Sequence, residues 1–217
     1  MKKDVVKFIE ENKIIAICRG LYGEKLLQLV EALYKGGVKL VEVTFDQNDC
    51  NCLEKTSEAI RMLNSKFNGK IKVGAGTVIT SEQVFEAKSA GAEYILSPNA
   101  DIDILKIANE LDLVTIPGAM TPTEILEAHH AGADFIKLFP AGTLGLKYAK
   151  DLLGPINNVK FIATAGITPD NLGEFLKLGF SGAGISSYIT NKNMVESGDF
   201  EILTEHAKEL VEIVNKI

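Results

Sequence analysis

Lys137 is the residue whose type fits its surroundings least. It sits in the run Phe135-Ile136-Lys137-Leu138-Phe139-Pro140, which follows the turn signal Gly132-Ala133-Asp134 and reads as a buried strand. An ammonium group is almost never fully buried without a partner or a purpose, because desolvation disfavours the charged form. The two-residue period of a strand places Ile136 and Leu138 on one face and Phe135, Lys137 and Phe139 on the other. In Leu40-Val41-Glu42-Val43-Thr44-Phe45 the same period turns Val41, Val43 and Phe45 towards one apolar layer and leaves Glu42 and Thr44 on the opposite face. A Glu and a Lys enclosed together admit a solvated lysine, a structural salt bridge, or a catalytic pair. In the last case the lysine is held partly as a neutral nucleophilic amine that condenses with a ketone, and the carboxylate moves protons.

Such a pair has to be positioned by regular elements, and the chain supplies a repeating set. Helical and strand-like segments alternate: helix 4–11, strand 14–19 ending on Arg19, helix 23–35, strand 38–45, helix 51–66, strand 71–75, helix 81–90 and strand 93–97. Helix 101–110, strand 113–116, helix 122–131, the Lys137 strand, helix 145–152, strand 159–164, helix 169–178, strand 182–185 and a helix over about 200–216 follow. About eight strands alternating with eight helices predict an α/β fold, a (β/α)8 TIM barrel, in one domain over 1–217 with a short N-terminal helix. A doubly wound open sheet would use fewer strands, and no Gly-x-Gly-x-x-Gly fingerprint follows the first one.

Barrel active sites lie at the C-terminal ends of the strands, where this sequence is polar: Arg19, Glu42, Thr44, Thr77, Ser97, Lys137, Thr164, Ser186 and Ser187. Gly74-Ala75-Gly76-Thr77 reads as a tight loop open to a ligand. Thr164-Ala165-Gly166-Ile167 and Gly184-Ile185-Ser186-Ser187 follow the seventh and eighth strands, a frequent place for phosphate. Each alone reads equally as Gly turns and Ser helix caps; together they favour an anion site.

Composition narrows the classes further. Hydrophobic residues make up 46% and charged residues 24%, as in soluble globular proteins. Lys plus Arg number 23 against 29 Asp plus Glu, for a net charge of −6, and no basic run carries interleaved aromatics. Nucleic-acid and anionic-membrane partners are therefore not expected. The charged segment 1–13 lacks a signal-peptide core and no run reaches spanning length, so a cytoplasmic location is expected. Three cysteines, Cys18, Cys50 and Cys52, suggest reduced thiols, with Cys18 a small core residue. His129 and His130 lie on a predicted helix and His206 is distant, so a His-based metal site is not expected, and no cofactor is expected; His129, His130 and Lys147 read as solvated.

Assembled in order, Glu42-Val43-Thr44, Val73-Gly74-Ala75-Gly76-Thr77-Val78, Ser97-Pro98, Ile116-Pro117-Gly118, Thr121-Pro122-Thr123-Glu124, Phe135-Ile136-Lys137-Leu138-Phe139-Pro140 and Thr164-Ala165-Gly166-Ile167 resemble the 2-keto-3-deoxy-6-phosphogluconate (KDPG) and 4-hydroxy-2-oxoglutarate (KHG) aldolase family. The resemblance covers nearly the whole chain. It implies a homotrimer of barrels and class I chemistry on a small 2-keto acid, releasing pyruvate. By resemblance Lys137 forms the Schiff base, Glu42 is the general acid/base, and Thr77, Pro98 and Phe139 shape the pyruvate pocket. Thr164, Gly166 and Ser187, with Ser186 beside them, match the distal end where phosphate sits. Where many members carry Arg this chain has Asp46, and Arg19 is the candidate replacement cation. Ala165 stands for the usual first Gly of the phosphate loop, and Gly142 for a common Glu. Rival readings are a 2-keto-3-deoxy-6-phosphogalactonate aldolase, a phosphosugar epimerase or isomerase without a covalent intermediate, and a non-catalytic trimeric binding protein.

Overall fold

The computed structural model describes residues 2–217. Its elements run in chain order α1 (Lys2–Asn12), β1 (Ile14–Cys18), α2 (Gly23–Lys35), β2 (Leu40–Thr44), α3 (Cys52–Phe67), β3 (Lys72–Gly76), α4 (Ser81–Ser89), β4 (Tyr94–Leu96), α5 (Ile102–Glu110) and β5 (Val114–Ile116). They continue with β6 (Gly118–Ala119), α6 (Pro122–His130), β7 (Ile136–Leu138), α7 (Ala141–Leu153), β8 (Phe161–Thr164), α8 (Pro169–Lys177), β9 (Gly182–Ile185), α9 (Lys192–Ser197) and α10 (Phe200–Asn215). All pairings are parallel, in the order β5-β4-β3-β2-β1-β9-β8-β7-β6.

The nine segments make eight staves. β5 and β6 are one stave interrupted at Pro117, which has no N–H to give to a ladder. β5 pairs with β4 and β6 with β7. The seam is bridged by N–H donors of the Lys137 strand: Phe135 to Thr115 O (3.2 Å), Lys137 to Pro117 O (2.8 Å) and Phe139 to Ala119 O (3.1 Å). A closed barrel leaves no exposed sheet edge, and the expected (β/α)8 TIM barrel is the observed fold.

Side-chain alternation builds two cores. Val41, Val43, Phe45, Ile136 and Leu138 pack outward against helix residues such as Leu26, Leu29, Ile60 and Leu63. Ile15, Leu40, Tyr94, Leu96, Val114, Ile116, Phe135 and Ile162 fill the barrel interior, and Val5 and Ile9 of α1 join them, so that α1 plugs the N-terminal end. Capping boxes start α4 (Thr80 with Gln83) and α6 (Thr121 with Glu124), satisfying N–H groups that the first turn leaves free.

Four features depart from the sequence-based expectation. Gly74 and Ala75, read both as strand and as the start of a tight loop, lie in β3, and Gly76 extends that strand. α7 begins at Ala141, and Gly145 (φ 80°, ψ 168°) breaks it internally, which hid its first turn from the periodicity. The short α9 lies in a stretch without a strong apolar pattern. The fifth stave carries on past Ile116 as β6.

Candidate active site

The strands set Glu42 and Lys137 in register. Ile17 of β1 is aligned with Glu42 of β2, Glu42 with Gly74 of β3, and Lys137 of β7 with Ile162 of β8. Glu42 leans along its strand towards the mouth. A Cβ added at Gly76 would lie 1.7 Å from Glu42 Oε1, so the carboxylate occupies the space a side chain there would need. Gly76 is thus a packing requirement of the site. Beneath, the Tyr94 hydroxyl donates to Val41 O at 2.7 Å.

Glu42 is 1% exposed and Lys137 7%. Among the described residues neither enters an ion pair, and these link other residues such as Lys72 with Glu93 and Lys160 with Glu10; Glu42 Oε2 has no hydrogen-bond partner among them. Burial raises the Glu42 pKa, and the charges of Lys137 and Arg19 pull it back. Burial lowers the Lys137 pKa; Glu42 opposes this and Arg19 adds to it. Both shifts favour the neutral forms, which a nucleophilic amine and a proton-donating carboxyl require. Lys137 Nζ also lies 4.9 Å from the centre of the Phe139 ring.

Arg19, Glu42, Thr77, Pro98, Lys137, Phe139, Thr164, Gly166, Ser186 and Ser187 line one cavity of about 390 Å³ at the C-terminal mouth. Thr44 does not line it; the side chain is fully buried and its hydroxyl is unpartnered. Ile17, Ala165, Ile167 and Gly184 also line the cavity without having been singled out as substrate contacts. Ile17 shares the inward face of β1 with Ile15, a signal the strand period contained. A groove of about 730 Å³ opens between α2 and α10 on the outer wall, away from every strand end. Among the described residues no group of three or more His, Cys, Asp or Glu side chains is placed to hold a metal ion, and no helix is long and apolar enough to cross a membrane.

The distal wall is made of loops. Ala165 (φ 70°) and Gly166 (φ 71°) both adopt left-handed backbone, at a small cost for Ala, and the Gly142 N–H donates to Ala165 O at 2.8 Å. A Cβ on Gly142 would fall 2.6 Å from Gly166 O, so the loop presses directly on the first turn of α7. Asp46 is exposed and outside the cavity, accepting from the Asn48 N–H at 3.1 Å as a local turn. Gln47 of the same loop donates to Thr77 O at 3.0 Å and receives the Gln83 amide at 3.0 Å, which ties it to the start of α4.

The KDPG and KHG aldolase family model matches residues 5–206. The chain belongs to that family. It is 29% identical to a 2-dehydro-3-deoxy-phosphogluconate aldolase of Haemophilus influenzae, over 98% of this chain and 97% of the relative. It is 33% identical to the KHG/KDPG aldolase of Escherichia coli, over 87% and 86%. Among solved structures, the Legionella pneumophila KDPG aldolase with pyruvate captured at low pH as a covalent carbinolamine superposes with a TM-score of 0.84, at 27% identity over 94% of this chain and 97% of that one. The family is one of carbon–carbon lyases, which agrees with an enclosed Lys and Glu at a barrel mouth.

Proposed function

We propose that this chain is a class I aldolase that cleaves 2-keto-3-deoxy-6-phosphogluconate to pyruvate and glyceraldehyde 3-phosphate, with Lys137 as nucleophile and Glu42 as general acid/base. The observation that carries the reading is the enclosed Lys137–Glu42 pair, outside the ion pairs among the described residues and facing one cavity. The neutral Lys137 amine adds to the C2 carbonyl. Glu42 protonates the carbinolamine hydroxyl, which leaves as water, and a protonated imine remains. Glu42, now a carboxylate, takes the proton of the C4 hydroxyl through water as the C3–C4 bond breaks. The bonding electrons flow into the iminium, giving aldehyde and enamine. Protonation of the enamine at C3 and hydrolysis of the imine release pyruvate and restore Lys137.

Thr77, Pro98 and Phe139 are assigned to the pyruvate half, and Thr164, which lines the cavity with a buried hydroxyl unpartnered among the described residues, is assigned to the substrate. Arg19, Gly166, Ser186 and Ser187 hold the distal end. Asp46 is engaged in its own turn, which leaves Arg19 as the cation of the cavity besides Lys137. The reading includes a cytoplasmic homotrimer; exposed Ile79, Phe85 and Met120, after β3, on α4 and after β6, offer apolar surface for assembly. Pyruvate release coupled to lactate dehydrogenase, compared for KDPG, its unphosphorylated analogue and 4-hydroxy-2-oxoglutarate, tests the substrate. The reading expects the phosphorylated acid to give the highest kcat/KM, and absence of pyruvate from all three would refute it. Sedimentation equilibrium tests the trimer.

A further inference from the structure

Beyond Arg19 the mouth continues into a side compartment of about 260 Å³, where Arg19, Ser186 and Ser187 are shared with the main cavity and Lys192 and Asn193 form the far wall. Lys192 reaches back across the opening: a Cβ on Gly20, the residue after Arg19, would fall 2.8 Å from Lys192 Nζ. Arg19 and Lys192 thus line one compartment at the rim of a chain whose net charge is −6. Among the described residues, the ion pairs involve neither Arg19 nor Lys192. Two cations that line one compartment without a counter-ion make it attractive to an anion. The two serines add hydroxyl donors on the side facing Lys137.

We propose that this compartment is an oxyanion subsite in which Lys192 acts with Arg19, and that Lys192 sets preference for substrates carrying a phosphate or carboxylate at their far end. The inference rests on the aldolase reading above and extends its cavity outward. It gives the far anion a partner from the β9–α10 connection, on the opposite flank from Asp46. The compartment shares Arg19 with the Lys137 cavity but is not lined by Lys137, so the charge at C6 of a six-carbon acid is assigned to it. The carboxylate of 4-hydroxy-2-oxoglutarate, attached directly to the reacting carbon, is not.

The test is the ratio of kcat/KM for a C6-charged acid to that for its uncharged counterpart, measured in the full-length wild type and in Lys192→Met, Lys192→Glu and Lys192→Arg. One charged arm carries a C6 phosphate and the other a C6 carboxylate, which separates the two sources of the anion. In Lys192→Met the ratio falls ~10-fold in at least one arm, mainly through KM. Lys192→Glu lowers it further, added salt shrinks the wild-type ratio, and Lys192→Arg keeps most of it. A fall with phosphate alone, carboxylate alone or both supports the subsite and names its anion. Ratios in Lys192→Met and Lys192→Glu within about twofold of wild type in both arms overturn it. Solvent-deuterium exchange into the pyruvate methyl group by the wild type is measured alongside. Its absence would refute the Schiff-base reading itself, whereas exchange with unaltered ratios would refute only the role of Lys192.

Discussion

The two ends of the cavity are built from different materials. At the inner end Glu42 and Lys137 project from β2 and β7, their positions set by ladder register and by the apolar layers of both strand faces. At the outer end Arg19, Ala165, Gly166, Ser186 and Ser187 follow the strands, and all but Ala165 are exposed. A group on a strand of a closed barrel cannot move without disturbing the staves on either side, whereas a loop can change shape at little cost to the core. On the proposed roles, reaction type resides in the wall and substrate choice in the rim. The departures of this chain follow the division: Asp46, Gly142 and Ala165 alter the rim and leave the pair alone.

Substitutions break or sharpen the contrast in proportion to their depth. Lys137→Ala removes the proposed nucleophile and should lower kcat/KM by about 10⁴-fold or more on every substrate, whatever its far end. Steady-state assays with phosphorylated and unphosphorylated acids check this, and a loss confined to one of them would contradict it. Gly76→Ala puts a methyl where Glu42 Oε1 now lies, on backbone that tolerates Ala. Displacing the carboxylate by about an ångström should reduce kcat roughly 10²-fold on all substrates. Crowding should cost about 1–3 kcal/mol in denaturant unfolding.

At the rim the effects shrink and become selective. Gly142→Ala pushes on Gly166 O, and KM for the phosphorylated acid should rise roughly tenfold with kcat little altered. An equal rise for the unphosphorylated acid would mean that the loop serves the inner end as well. Ala165→Gly relieves left-handed strain of about 1 kcal/mol but frees the unfolded chain by a similar amount. Thermal unfolding should therefore register a net change within about 0.5 kcal/mol.

The same division governs what the sequence disclosed. Strand alternation oriented Glu42 and Lys137 because each has apolar neighbours on both sides that must face a helix layer. Gly74 and Gly76 misled, since a Gly pair signals a turn unless the bulky groups it accommodates, here the Tyr94 ring and the Glu42 carboxylate, are known from other strands. Pro117 concealed the continuation of its stave, and Gly142 and Gly145 concealed the start of α7. Asp46 could be seen to replace an Arg, but its turn with Asn48 depends on loop shape, which no periodicity encodes. Lys192 escaped notice for a related reason: a surface lysine acquires meaning only when folding brings it over Gly20.

The central claim is that Lys137 is the residue that bonds to the keto carbon. Borohydride reduction in the presence of pyruvate, followed by peptide mass mapping, tests it most directly. The account predicts one stable adduct, on Lys137. Because burial lowers the pKa of this amine, the trapping rate should rise with pH and level off below the ordinary lysine range near ~10.4. An adduct on a different lysine, or none at saturating pyruvate, would contradict it.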